Sequence, residues 1–158
     1  MIEFLLLKWI HIISSVVLVG VGFGSAFYLY FINRSGNTAA IAEVTRLVVR
    51  ADFWFTTPAI IIQPISGIWL ASLGGYELSE SWLVITYTLY ILAGICWLPV
   101  VWLQLRMAEM SHCSVARKVD LPEKYHCYHR YWTLLGMIAF PAMLGVFALM
   151  VFRPSQLF

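Results

Sequence analysis

Four stretches of the chain, residues 9–33, 53–76, 81–105 and 131–152, carry no charged side chain. Each supplies the roughly 20 consecutive apolar residues that a helix needs to cross a bilayer. The runs are continuous and lack the alternation of barrel strands, and a backbone in lipid must satisfy its own hydrogen bonds. The pattern therefore predicts an all-α, four-helix transmembrane bundle, a single domain over residues 1–158. Its helices are expected at about 4–33, 50–73, 81–106 and 126–152, since terminal residues of apolar runs fray by a few positions. Residues 35–51 read as a turn and an amphipathic lead-in to the second span, residues 107–124 as the longest polar loop, and "SLGGYELSE" as a tight hairpin. Pro58, Pro64, Pro99 and Pro141 fall inside spans, where each removes a backbone bond and favours a kink.

Within each run, small, polar or aromatic residues recur three or four positions apart, the spacing of a packed seam. The first helix carries Lys8, His11, Ser15, Leu18, Gly22 and Ser25. The second carries Asp52, Thr56, Ala59, Gln63, Ser66 and Leu70. The third carries Thr86, Tyr90, Ala93, Trp97 and Gln104, and the fourth His126, His129, Thr133, Gly136, Phe140 and Met143. Polar groups face lipid at a penalty, so these stripes should meet in the bundle interior. Gly20 and Gly24 form a small-xxx-small pair that favours close helix approach, and the bare face around Gly22 could also admit a flat ligand.

Composition supports lipid as the solvent. The chain is 61% hydrophobic and 11% charged, against about 25% charged in a soluble domain. Glu3 at its head and the lack of a small-residue cleavage site mark the first run as a retained helix, not a cleaved signal. No basic patch with interleaved aromatics suggests nucleic acid. Eight of the ten lysines and arginines lie beyond the first and third spans: Arg34, Arg46, Arg50, Arg106, Arg117, Lys118, Lys124 and Arg130. Only Lys8 and Arg153 lie at the other end. The positive-inside rule places both termini on the periplasmic side of a bacterial inner (plasma) membrane, as a multi-pass protein. Cys113 and Cys127 then face a reducing compartment, where a disulfide is not expected.

His11 lies inside a span, where an ionisable group is a functional candidate by default. Lys8 is one turn nearer water on the same face. The pair fits a haem whose iron is bound by His11 and whose carboxylates are met by Lys8. Gln63, Tyr90 and Trp97 would line the pocket. Met143 is the conventional ligand expected at matching depth, giving a His11/Met143 site or a five-coordinate one. Asp52 and Arg130 are expected to form a buried ion pair at the opposite end. His112, Cys113, His126, Cys127 and His129 offer metal-capable side chains, but at no standard spacing.

The pieces "LKWIHIISS", "ADFWFTTPAIIIQPISGIWL", "CWLPVVWLQLRM" and "YWTLLGMIAFP" resemble the bacterial integral-membrane family with domain of unknown function number 2269, over nearly the whole chain. More distantly, "KWIHI" looks like the first helix of HemJ-type protoporphyrinogen oxidases and CopD-like membrane proteins. The HemJ resemblance implies a haem-linked histidine at His11. It also implies a lysine after the Trp-Leu of the third helix, where this chain has Thr86.

These readings converge on a b-type haem protein acting in redox chemistry or electron transfer, with haem b in the periplasmic half. It would be surrounded by lipid, without a nucleic-acid partner, as a homodimer or within a larger membrane redox complex. The alternatives are a non-catalytic accessory or scaffold subunit, or a HemJ-like porphyrinogen oxidase.

Overall fold

A computed structural model describes residues 2–153. Its helices are α1 (Ile2–Asn33), α2 (Thr38–Ala51), α3 (Thr57–Leu73), α4 (Ser81–Arg117) and α5 (Glu123–Phe152). A π-turn over Asp52–Thr56 joins α2 to α3, so Thr38–Leu73 runs as one helix. Among the described residues, four helices are long and apolar enough to cross a membrane. The protein is therefore a multi-pass membrane bundle without strands in that region.

The helices outrun the apolar stretches. Helix α2 starts at Thr38, where the Asn37 side chain accepts from the Ala40 N–H at 3.1 Å and caps the first turn. Ile41, Thr45 and Val48 are buried along one face, while Glu43 and Arg46 pair at 2.6 Å on the exposed one. Helix α4 continues through the expected polar loop to Arg117. It ends at Lys118, in the left-handed region with φ 56°, with the Val119 N–H bonded back to the Ser114 carbonyl. Only five residues, 118–122, then separate α4 from α5.

The π-turn has a sequence cause. Pro58 has no N–H for the carbonyl four residues back, and its ring clashes there. The ladder widens instead: the Thr57 N–H reaches the Asp52 carbonyl, which also accepts from Thr57 Oγ1 at 2.8 Å.

Helix α4 lies along α5, α2 packs on both α4 and α1, and α3 packs on α1. Helices α1 and α5 touch at few points. Packing is concentrated at the two ends. At the loop end, Leu29, Ile41, Val48, Leu103, Met107, Tyr125 and Trp132 bring four helices together. At the terminal end, Ala71, Trp82 and Leu83 pack with Tyr76, Leu149 and Met150. The outer surface is apolar: Leu98 and Met137 are each 66% exposed, as lipid contact requires. Trp9 near one end and Trp54 near the other are exposed as well, in keeping with interfacial aromatic belts.

Candidate functional site

Of the expected inward face of the second span, Asp52, Thr56, Ala59, Gln63 and Ser66 are buried and Leu70 is half-buried. On α1 the face rolls by one position. Ser14 is buried and Ser15 is not; Ser15 Oγ only turns back to the Ile12 carbonyl.

The α1–α3 seam holds a polar latch. Gln63 Nε2 donates to the His11 carbonyl at 2.8 Å and to Ser14 Oγ at 2.6 Å. His11 Nδ1 lies 2.8 Å from Ser66 Oγ, whose own hydrogen is engaged by the Ile62 carbonyl at 2.6 Å. Ser66 Oγ thus holds the Nδ1 side of the ring, and Nε2 is the ring nitrogen that Ser66 does not touch. Gly67 lies beneath the ring, and a Cβ there would meet His11 Cε1 at 3.2 Å. Lys8 is exposed one turn nearer the terminus.

A histidine held at one ring nitrogen is the arrangement that supports a ligating imidazole, and His11 Nε2 would be the nitrogen to meet a metal. Met143 is placed differently from the sequence expectation. Phe23 packs against Phe140 with ring centroids 4.8 Å apart, and Tyr30 against His129 at 6.2 Å. These stacks set the α1–α5 register and put Met143 near Leu18 and Val19, roughly 10 Å deeper than His11 at 1.5 Å per residue. At the terminal end α1 begins at Ile2 and outreaches α5, which ends at Phe152, so a residue equally far from the end of its own helix lies deeper on α5. Tyr90 is also deeper, its hydroxyl donating to the Ile60 carbonyl at 2.6 Å.

Tyr90, Trp97 and Met143 line a second feature, a cavity of about 390 Å³ between the two packed ends, bounded by all four spans. His11 and Gln63 are not among its lining residues. The structure thus divides the expected site into a latch (His11, Ser14, Gln63, Ser66) and a cavity (Tyr90, Trp97, Met143).

Asp52 opens the π-turn and lines the cavity. It accepts from Thr56 Oγ1 at 2.8 Å, with Gln104 facing it from α4. The expected Asp52–Arg130 ion pair does not form, because Arg130 is exposed on α5. The ion pairs found among the described residues are Glu43–Arg46 and Arg106–Glu109. Several buried polar atoms have no partner, among them Trp97 Nε1, Gln104 Oε1, Trp132 Nε1 and His129 Nε2. His129 is sandwiched between Tyr30 and Trp132. Sequence reasoning missed Trp132, which sits one position before the assigned Thr133 stripe. Among the described residues, no three His, Cys, Asp or Glu side chains converge as a metal site, and Cys113 and Cys127 are exposed.

The family described as "Predicted integral membrane protein (DUF2269)" matches residues 5–154. No curated protein and no solved structure matches the chain.

Proposed function

The chain belongs to this family of integral membrane proteins, and on that footing we propose that it is a b-type haem protein of the bacterial inner membrane, acting in redox chemistry. The eight-to-two split of lysine and arginine between the two ends supports periplasmic termini. The observation that carries the reading is the imidazole of His11, held within the α1–α3 seam with Nδ1 2.8 Å from Ser66 Oγ.

Each residue would have a separate task. His11 would supply a nitrogen to the iron. Ser66 holds the ring through Nδ1. Gln63 and Ser14 hold the α1 backbone at that turn, so the ring cannot slide along the seam. Lys8, exposed one turn outward, would pair with the carboxylates of the bound group. Met143 belongs to the deeper cavity, which favours a single protein ligand over a His11/Met143 pair. Bound haem would supply one-electron chemistry, and the protein supplies ligation, orientation and polarity. Thr86 is buried with its hydroxyl turned back to the Trp82 carbonyl at 2.7 Å and offers no amine, so porphyrinogen oxidation is not the chemistry we favour.

The visible spectrum of detergent-purified protein from haem-replete cells tests this. A Soret band is expected in wild type and Met143→Leu and lost in His11→Ala. Colourless wild-type protein overturns the reading. The latch also ties α1 to α3, which favours a second reading as an accessory or scaffold subunit. That reading calls for colourless protein that co-purifies with other membrane subunits.

A further inference from the structure

The cavity between the packed ends has a mouth toward lipid. Helices α1 and α5 meet through the Phe23–Phe140 and Tyr30–His129 stacks. Between those bridges α1 rises seven residues, roughly 10 Å, and the gap is flanked by Phe27 and Met137, which are 51% and 66% exposed. A molecule dissolved in the bilayer can enter through this window without crossing water. Gly22, Gly94 and Gly136, from three different helices, leave room inside, since a Cβ on any of them would meet nothing within 4 Å.

Asp52 is the single charged residue on the lining, which is otherwise almost entirely apolar and aromatic. It is 6% exposed. The antiparallel register fixed by the His11–Ser66 and Gln63–Ser14 bonds carries it to about the level of Ser25, which lines the same cavity. A carboxylate inside a span is as a rule paired with a cation or set on an ion or substrate path. No cation pairs with Asp52, since the ion pairs among the described residues are Glu43–Arg46 and Arg106–Glu109.

The neighbours of the carboxyl are neutral. Thr56 Oγ1 donates to Oδ1 at 2.8 Å, and the Gln104 amide faces it from α4 without bringing charge. Oδ2 makes no hydrogen bond of its own among the described residues. It is also not one of the sealed, unpartnered atoms, whereas Gln104 Oε1 and Trp97 Nε1 are. The open side of the carboxyl is therefore the cavity that Asp52 lines.

We propose that this cavity binds a lipophilic organic cation taken from the bilayer, with the Asp52 carboxylate as its counter-ion. The carboxylate selects for positive charge. Tyr30, Trp97 and Phe140 line the walls, and aromatic faces attract a cation as well as apolar surface. A metal ion is a poorer occupant, because apolar walls do not replace its shell of oxygen ligands. A neutral or anionic molecule leaves the carboxylate unanswered. The inference is independent of the haem reading, since the latch and the cavity share no residue.

Equilibrium dialysis of tetraphenylphosphonium against the purified full chain in detergent tests this, with tetraphenylborate, an anion of the same shape, as the comparison. Saturable binding is expected for the cation and not for the anion. Asp52→Asn keeps the size of the side chain and removes its charge, so it should weaken cation binding by about tenfold or more, as loss of a buried counter-ion does. Gly136→Leu should remove the saturable component by filling the cavity, while circular dichroism stays helical. The comparison of the two ions needs only the wild-type chain, so it decides even where a variant does not fold. Cation uptake that never saturates overturns the proposal. So does equal affinity in wild type and Asp52→Asn, the result expected of a carboxyl that only holds a proton, or tetraphenylborate binding as tightly as tetraphenylphosphonium.

Discussion

His11 illustrates how a neighbour positions a residue. Ser66 Oγ lies 2.8 Å from Nδ1 and also within reach of the Ile62 carbonyl, so the ring is tied to the α3 backbone through one hydroxyl. Removing that hydroxyl by Ser66→Ala should leave the fold intact and reduce haem retention roughly tenfold or more, the usual consequence of deleting a partner of a ligating histidine. Haem content per protein after a fixed wash measures it. Gln63 acts on stability instead. Gln63→Leu leaves the Ser14 hydroxyl without its donor and removes a bond to the His11 carbonyl. It should destabilise by about 1–3 kcal/mol, read as a lower Tm in detergent. Wild-type Tm would show that the latch contributes no stability. The sequence pointed to His11, Gln63 and the burial of Ser66. It placed Ser15 where Ser14 does the work, because a stripe spaced by three and four fixes a face only to within one residue.

At the level of single helices, two features bend the simple pattern. Pro58 forces the π-turn, and the turn holds Asp52 and Thr56 against the interior together. The glycines were expected to bring helices close, or to leave a face bare enough for a flat ligand. Gly20, Gly22 and Gly24 have nothing within 4 Å of an added Cβ, so within one chain they open space. Gly22→Ala should therefore be tolerated, and should raise stability by up to about 1 kcal/mol through helix propensity. A fall in Tm would mean that Gly22 packs closely against a second chain. Helices α2 and α4 also extend well past their apolar runs, because capping by Asn37 and the left-handed Lys118 stop them rather than the hydropathy boundary.

Across the whole molecule, packing at both ends encloses a hollow middle. Two aromatic bridges hold α1 against α5 and leave a window between them. Orientation is testable at this scale. Cys113 and Cys127 are exposed at the loop end, while Cys96 is buried in α4. With both termini periplasmic, a membrane-impermeant maleimide should label inverted vesicles at both exposed cysteines and leave intact spheroplasts unlabelled. Labelling of intact spheroplasts would reverse the topology.

The number of spans, their helical nature and their lipid surroundings were settled by the chain alone, because an apolar run in a bilayer has one way to satisfy its backbone. The inward face of the second span followed from helical period, whereas on α1 and α5 the buried face sits one position away from the assigned stripe. What required the fold was everything that depends on register between helices. The depth of Met143 relative to His11 is set by rings stacking across α1 and α5, and no spacing within either helix encodes that offset. The cavity likewise exists only where four helices diverge, so the residues that line it become a set only once the helices are assembled.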